Sequence, residues 1–289
     1  VSGHAPPDPR LTAANGRVAD IALRGLVRSA RYVTGRPARV VAPCADLCRT
    51  PAGARERQLP FGAAVAVFDA SGGWAFVKAA RDGHVGWVAR RALGPAAEAT
   101  HLVAAPASHL YPVPDLHARE IMALSFGARL RIVDEGAGGR FARTACGRFV
   151  PAAHLRPLSR PFDDPAAVAL GLLGTPYLWG GNSRAGIDCS GLVQGALHAC
   201  AIACPGDSDL QAALGTAVAP DAPLARGDLV FWDGHVGIMA DSATLVHANA
   251  HHMAVAAETL AGAAARIAAT GGGPVTARRR PPPPGARMI

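Results

Sequence analysis

Short runs of alternating apolar and polar residues, punctuated by Gly and Pro, fill the first half of the chain. Alternation with a period of two predicts half-buried strands, and their brevity predicts small barrels. The pattern repeats. Phe61-Gly-Ala-Ala-Val-Ala-Val-Phe-Asp69 is echoed by Phe126-Gly-Ala-Arg-Leu-Arg-Ile-Val-Asp134. Gly73-Trp-Ala-Phe-Val77 is echoed more loosely by Gly139-Arg-Phe-Ala-Arg143, and Gly86 through Leu93 by Arg148 through Leu155. The offset is 65 residues at the first pair and 62 at the end of the last, so the unit is a small domain and not a solenoid repeat. Ahead of the first unit, Val18 to Val33 carries apolar residues at helical spacing, which predicts a helix packed across the domains.

The pattern changes in the second half. Leu192, Val193, Ala196, Leu197 and Cys200 recur with a helical period, and Gly186 and Asp188 just before them read as a turn and cap. Asp228 to Trp232, His235 to Met239 and Thr244 to Ala248 then read as three strands joined by turns at Asp233-Gly234 and Ala240-Asp241-Ser242. On adjacent antiparallel strands His235 and His247 would come side by side. Cys189 falls in the first turn of the helix, where free backbone N–H groups and the positive dipole end favour a thiolate. A thiol nucleophile with an imidazole base and a second group orienting that base is an arrangement for covalent catalysis. A lone Cys on a helix is usually inert packing, and a lone His a satisfied core residue; it is the constellation that points to chemistry.

Asp188-Cys-Ser-Gly191, preceded by Pro176-Tyr-Leu-Trp-Gly-Gly181 and followed by Arg226-Gly-Asp-Leu-Val-Phe-Trp232, His235-Val-Gly-Ile238 and Leu245-Val-His-Ala248, resembles the NlpC/P60 cysteine peptidases. The repeated barrels resemble the bacterial SH3 (SH3b) domains that accompany this peptidase. The resemblance implies an α+β fold, a papain-like catalytic domain preceded by two SH3b barrels. The segments are then residues 1–35 (helical), 36–97 and 98–158 (barrels), 159–270 (peptidase) and 271–289 (a flexible, basic, Pro-rich tail). It implies Cys189 as nucleophile, His235 as general base, His247 as the orienting residue and Tyr177 as a neighbour that helps hold the oxyanion. Asp188, Ser190, Ser208 and Trp179 would contact a peptidoglycan stem peptide. Glu56 and His84 of the first barrel stand where relatives place an acid and a tyrosine that recognise a free N-terminal amine. Each also has a plain structural reading: Tyr177 as aromatic core, Asp188 as a helix cap, Glu56 and His84 as ordinary barrel residues. The implied reaction is hydrolysis of the γ-D-glutamyl–diamino-acid bond in short stem peptides. The barrels would serve as fixed walls of the cleft or as wall-binding modules; a non-catalytic murein-binding protein is the contrasting class.

Composition changes this picture little. A single lysine stands against 28 arginines in a chain of net charge +8, which reads as a codon bias and weakens any argument from charge. Few aromatics interleave with the basic residues, so no nucleic-acid surface is expected. Six cysteines in 289 residues do not make a disulfide scaffold, and the Cys44/Cys48 and Cys200/Cys204 spacing is not a zinc pattern, so no metal and no cofactor are expected. No apolar run suggests a membrane span, and Val1-Ser-Gly-His-Ala-Pro-Pro-Asp is no secretory signal, which points to a cytoplasmic protein. Oligomeric state is not written in these motifs.

Overall fold

The computed structural model describes residues 8–136 and 139–284. Val40, Leu47, Leu59, Val65, Val77 and Val88 are the inward residues of alternating strands and form one apolar cluster. The strands carrying them form a seven-stranded antiparallel sheet. Its order in space is Arg55–Pro60, Cys44–Cys48, Val85–Ala89, Trp74–Ala79, Ala64–Ser71, Arg36–Val40 and Leu93–Pro95. A second cluster lies outside it, where Ala13 and Val18 cover Phe68, Phe76 and Trp87.

That outer cluster explains why the expected helix over Val18–Val33 does not form. Val18–Asp20 and Arg31–Val33 are short strands paired in parallel, with one 3-10 turn at Ile21–Leu23 between them. Val18 and Ala19 are both buried, whereas Ile21 and Leu26 are exposed, so the apolar residues share no helical face.

The second barrel repeats the first in reduced form. Its strands fall into three small sheets around Val103, Leu110, Leu124, Leu130, Ile132 and Val150. A 3-10 turn at Ala152–His154 leading into Leu155–Pro157 mirrors the one at Arg90–Ala92 leading into Leu93–Pro95. Phe61 of the first barrel inserts into this second core. The backbones meet there: the Arg129 N–H donates to the Phe61 carbonyl at 2.8 Å. Gly62, at φ +77°, would place a Cβ 1.9 Å from the Arg129 carbonyl, so only glycine permits the approach.

The remaining residues form an α+β unit. A six-stranded antiparallel sheet runs, in space, Thr216–Ala217, Ala277–Arg280, Leu229–Trp232, His235–Met239, Thr244–Asn249 and Ala254–Thr259. Leu229, Phe231, Val236, Ile238, Val246 and Ala248 face helices Pro165–Leu170 and Cys189–Ala199 in the main core. Val230, Trp232, Met239 and Leu245 on the other face meet helix Leu260–Ala269. Over residues 272–284 the chain is not the flexible tail expected; residues 285–289 of that segment lie outside the described residues. Ala277–Arg280 pairs with Leu229–Phe231 on one side and Thr216–Ala217 on the other. Arg280 holds the buried Asp228 carboxylate at 2.7 and 2.8 Å, which gives the basic run a place inside the fold. Among the described residues, no helix is long and apolar enough to cross a membrane.

Candidate active site

Helix Cys189–Ala199 begins where the sequence predicts, because Asp188 caps it. One Asp188 oxygen accepts the Gly191 N–H at 2.6 Å and the Ser190 hydroxyl at 3.1 Å; the other accepts the Gly180 N–H at 2.8 Å. Burial still holds this carboxyl above its ordinary range. Cys189 is 8% exposed, and its Sγ lies 3.9 Å from the carbonyl of Gly234, in the turn that leads into His235. The expected resting thiolate is not what this pocket favours. Burial pushes the Cys189 thiol up to about 12, and the Asp188 charge adds to it. The N–H groups of Val236 and Ser190 oppose this without overcoming it. Desolvation outweighs the helix N-terminus, so the free site holds a neutral thiol.

The imidazole side is also neutral at rest. His235 Nε2 lies 2.8 Å from His247 Nδ1, and His247 Nε2 lies 2.8 Å from a Glu258 oxygen. The same oxygen is ion-paired with Arg266 of the helix that follows. Burial works against the Glu258 carboxylate, yet His247 and Arg266 hold it below its usual range. Burial, then the neighbouring His247 ring, push His235 down to about 3. Burial also lowers the fully enclosed His247, against the pull of Glu258.

These directions fix the tautomers by elimination. An ionised Glu258 can only accept, so His247 carries its proton on Nε2. Neutral His247 then accepts at Nδ1, so His235 carries its proton on Nε2. His235 Nδ1 is left as a lone pair, able to accept a proton. Strand register builds the relay: Ile238 pairs with Val246 and Met239 with Leu245, which sets Gly237 against His247 with His235 two residues along the same face. Trp232, its ring centre 5.7 Å from that of His235, packs the imidazole from the neighbouring strand.

Tyr177 is half-buried and anchored by its N–H to the Met253 carbonyl at 2.9 Å. Burial, with the Asp188 charge adding to it, pushes its phenol up to about 12, which keeps it a hydrogen-bond donor near the thiol. Ser190 is buried and its hydroxyl is spent on Asp188. Trp179 is 69% exposed, and its carbonyl accepts both Nε and Nη2 of Arg55 from the first barrel. Ser208 opens the short helix Ser208–Gln211, tied back when Gln211 Nε2 donates to the Ser190 carbonyl at 3.0 Å.

The barrel closes against this loop. Arg57 bridges Asp82 of the barrel and Asp207 of the catalytic domain, each at 2.9 Å. Glu56 lies 3.6 Å from His84 Nε2, and Asp207 lies 3.8 Å from His84 Nδ1. His84 itself is 2% exposed, with neither ring nitrogen hydrogen-bonded. It does not stand open to the cleft, as a tyrosine-like contact would require; it sits behind Glu56 and Asp207. Burial, then Arg57, hold it below its ordinary range and so uncharged. Glu56 is ion-paired with the exposed Arg49 at 2.6 Å, a partner that a bound cation can replace.

Glu258, Arg266, Arg57 and Asp207 are the members of the site that motif reading missed. Glu258 had one legible signal: it stands two residues along a strand from Ala256, which pairs with His247, and diagonal neighbours of that kind can touch. His247, His252 and Glu258 also bring three possible metal ligands within 4.8 Å of one another. Both nitrogens of His247 are already engaged, so an ion there would have to break the relay.

Comparison with known proteins places this geometry. Residues 174–268 match the NlpC/P60 family, and residues 47–93 match the bacterial dipeptidyl-peptidase SH3 domain. The chain thus carries an NlpC/P60 domain together with a bacterial dipeptidyl-peptidase SH3 domain. It is 30% identical over 158 residues to a γ-D-glutamyl-L-lysine dipeptidyl-peptidase of Bacillus subtilis, half of this chain and 52% of that one. It is 38% identical over 101 residues to a probable endopeptidase of Corynebacterium glutamicum, 34% of this chain and 48% of that one. The chain therefore spans about half or less of the length of these curated relatives. An NlpC/P60 family protein from Bacillus cereus has the same fold over 85% of this chain and 99% of its own, with a TM-score of 0.71 at 21% identity.

Proposed function

We propose that the protein is a cysteine endopeptidase that hydrolyses the γ-D-glutamyl–diamino-acid bond of short peptidoglycan stem peptides. The observation that carries this reading is the Cys189 thiol set at a helix start beside the turn of His235, with His235, His247 and Glu258 linked at 2.8 Å per step. In the proposed cycle Cys189 Sγ attacks the amide carbon as His235 Nδ1 removes its proton, so thiolate forms only as it reacts. The imidazolium, its charge shared with His247 and Glu258, then protonates the leaving amine. Water, activated by His235, cleaves the thioester. The Tyr177 hydroxyl and the N–H groups at the helix start stabilise the tetrahedral oxyanion.

The first barrel supports a short substrate. It closes one end of the cleft through Arg57, Glu56 and the Arg55–Trp179 contact, leaving Glu56 as the acceptor for a free N-terminal amine and Trp179 as an exposed surface for the peptide. Ser208 and Asp188 would line the peptide's path, and His84 would act through Glu56. The diamino acid is meso-diaminopimelate or L-Lys; the lysine named in the Bacillus subtilis relative makes the latter a necessary arm of any assay. Such fragments arise in wall turnover, and we place their hydrolysis in the cytoplasm.

The test is mass spectrometry of L-Ala-γ-D-Glu-diaminopimelate and its lysine counterpart, each with free and acetylated N-termini. Release of L-Ala-D-Glu from the free peptides, none with Cys189→Ala, and at least tenfold slower cleavage of the acetylated forms are expected. Cleavage by Cys189→Ala would overturn the mechanism, and equal rates on acetylated peptides would overturn the role of Glu56.

A further inference from the structure

Beside the second half of helix Cys189–Ala199, the two barrels and the catalytic domain line a cavity of about 480 Å³ that is partly open to solvent, a volume suited to a small organic ligand. It shares no lining residue with the Cys189, His235 and His247 site. Its walls are apolar at Leu59, Leu102, Phe126, Leu172 and Ile202, and cationic at Arg81, Arg129 and Arg184; no Asp or Glu lines it.

Two of these half-buried cations are short of hydrogen-bond acceptors. Arg184 is satisfied, donating to the Leu172 and Leu173 carbonyls and to Thr175. Arg81 donates to Gln194, but its Nε is buried without a partner. The acid nearest that Nε is Asp82, 3.7 Å away, whose same oxygen already takes hydrogen bonds from Arg57 and Gln194 at 2.9 Å each. The Arg129 side chain makes no hydrogen bond or ion pair among the described residues, and burial lowers its pKa with no acid to oppose it. Burial pushes Arg81 down to about 10; Asp82 opposes this, and the charges of Arg57 and Arg129 add to it. His198, on the same wall, is pushed down to about 4 by burial and then by Arg81, and its Nε2 is buried and unpartnered. Cations partly shielded from water need acceptors, and like charges facing one cavity repel. An anion in the cavity would relieve both penalties.

We propose that this cavity binds a small amphipathic carboxylate, its oxyanion held by Arg81 and Arg129 and its apolar body laid against Leu59, Leu102, Phe126 and Ile202. The apolar share of the lining favours such a molecule over a bare inorganic ion. Because the walls come from both barrels and from the helix that begins at Cys189, an occupant would tie all three together.

The test uses the full chain with Cys189→Ala, so it does not depend on turnover. Octanoate is the probe; octanol, with the same body and no charge, and inorganic phosphate, with charge and no body, are the controls. Octanoate is expected to raise Tm by on the order of 5 °C at about 100 times its Kd, while octanol and phosphate raise it by less than half as much. Arg129→Met is expected to raise Tm without ligand, since it removes a half-buried charge with no acid beside it, and to abolish the octanoate shift. Arg129→Lys keeps the charge but not the planar fork and should retain a smaller shift. The proposal is overturned if octanoate gives no shift, if octanol or phosphate matches it, or if Arg129→Lys binds octanoate no better than Arg129→Met. It is equally overturned if Arg129→Met lowers the ligand-free Tm or fails to fold, for the guanidinium would then be a structural group.

Discussion

Glu258 sets the direction of every proton in the site. Its carboxylate can only accept, which forces Nε2–H on His247, then Nε2–H on His235, then a free lone pair on His235 Nδ1. Gln at this position can present an N–H as readily as an oxygen and so permits the reversed tautomers. Glu258→Gln should therefore lower kcat by about 10- to 100-fold with little change in KM, the range for groups that orient a reacting residue. A purely structural role would instead move Tm and leave kcat and its pH profile alone. The pH dependence follows from the depressed Glu258 pKa: the relay is intact above it and is lost as pH falls through it. The acid limb of the kcat profile should consequently weaken in Glu258→Gln, because the titrating group has gone. Sequence made Cys189, His235 and His247 legible through residue type and spacing. It could not make Glu258 or the thiol's protonation legible, because both depend on which side chains shut out water. The positive end of a helix is visible in a motif; the desolvation that overrides it is a property of the packed site.

At the level of elements, the relay depends on how closely two strands approach. Gly237 faces His247, and a Cβ there would lie 2.7 Å from Leu245 Cδ1 and 3.1 Å from His247 Cβ. Gly237→Ala must therefore move one of them. Loss of about 1–3 kcal/mol of stability, as for other overpacked cores, and a fall in kcat larger than that loss explains are expected from denaturant melts and peptide kinetics. Combining it with Leu245→Ala should restore part of kcat, because the larger collision is with Leu245. The Ala277–Arg280 strand makes a second case. Removing residues 273–289 should cost the sheet an internal strand and leave Asp228 buried without Arg280, lowering Tm by more than 10 °C or preventing folding. A flexible tail would be lost without effect. Composition misled here because Arg and Pro mark exposed chain only on average. Arg278 and Arg279 lie between two strands, and four prolines follow only after the pairing ends at Arg280. The Val18–Val33 segment misled for a related reason: apolar spacing carries a helix only if one face is buried, and here Phe68, Phe76 and Trp87 offered a surface that takes Ala13 and Val18 instead. The barrel strands were legible because period-two alternation is local, and the repeat reinforced it.

At the scale of the whole molecule, four histidines among the described residues are held uncharged by folding: His84, His198, His235 and His247, each lowered chiefly by burial. The sign of the linkage is clear. An unfolded chain takes up these protons near the ordinary imidazole pKa of ~6.5, whereas the folded chain resists until well below it. Between those values the unfolded state binds more protons, so stability rises with pH. For His198 the window extends down to about 4 and for His235 to about 3; each contributes fully above ~6.5 and is lost as pH falls through its window. The lowered Asp82, Asp164 and Glu258 carboxylates act in the same direction at still lower pH, while the raised Asp188 opposes them. Tm should thus fall by several degrees from pH 7 to pH 5, in a range where carboxylates alone would change it little. His198→Gln separates the contributions without touching the proposed catalytic groups: it should flatten the Tm slope across that interval, whereas a slope identical to that of the parent chain would mean that His198 does not titrate on unfolding.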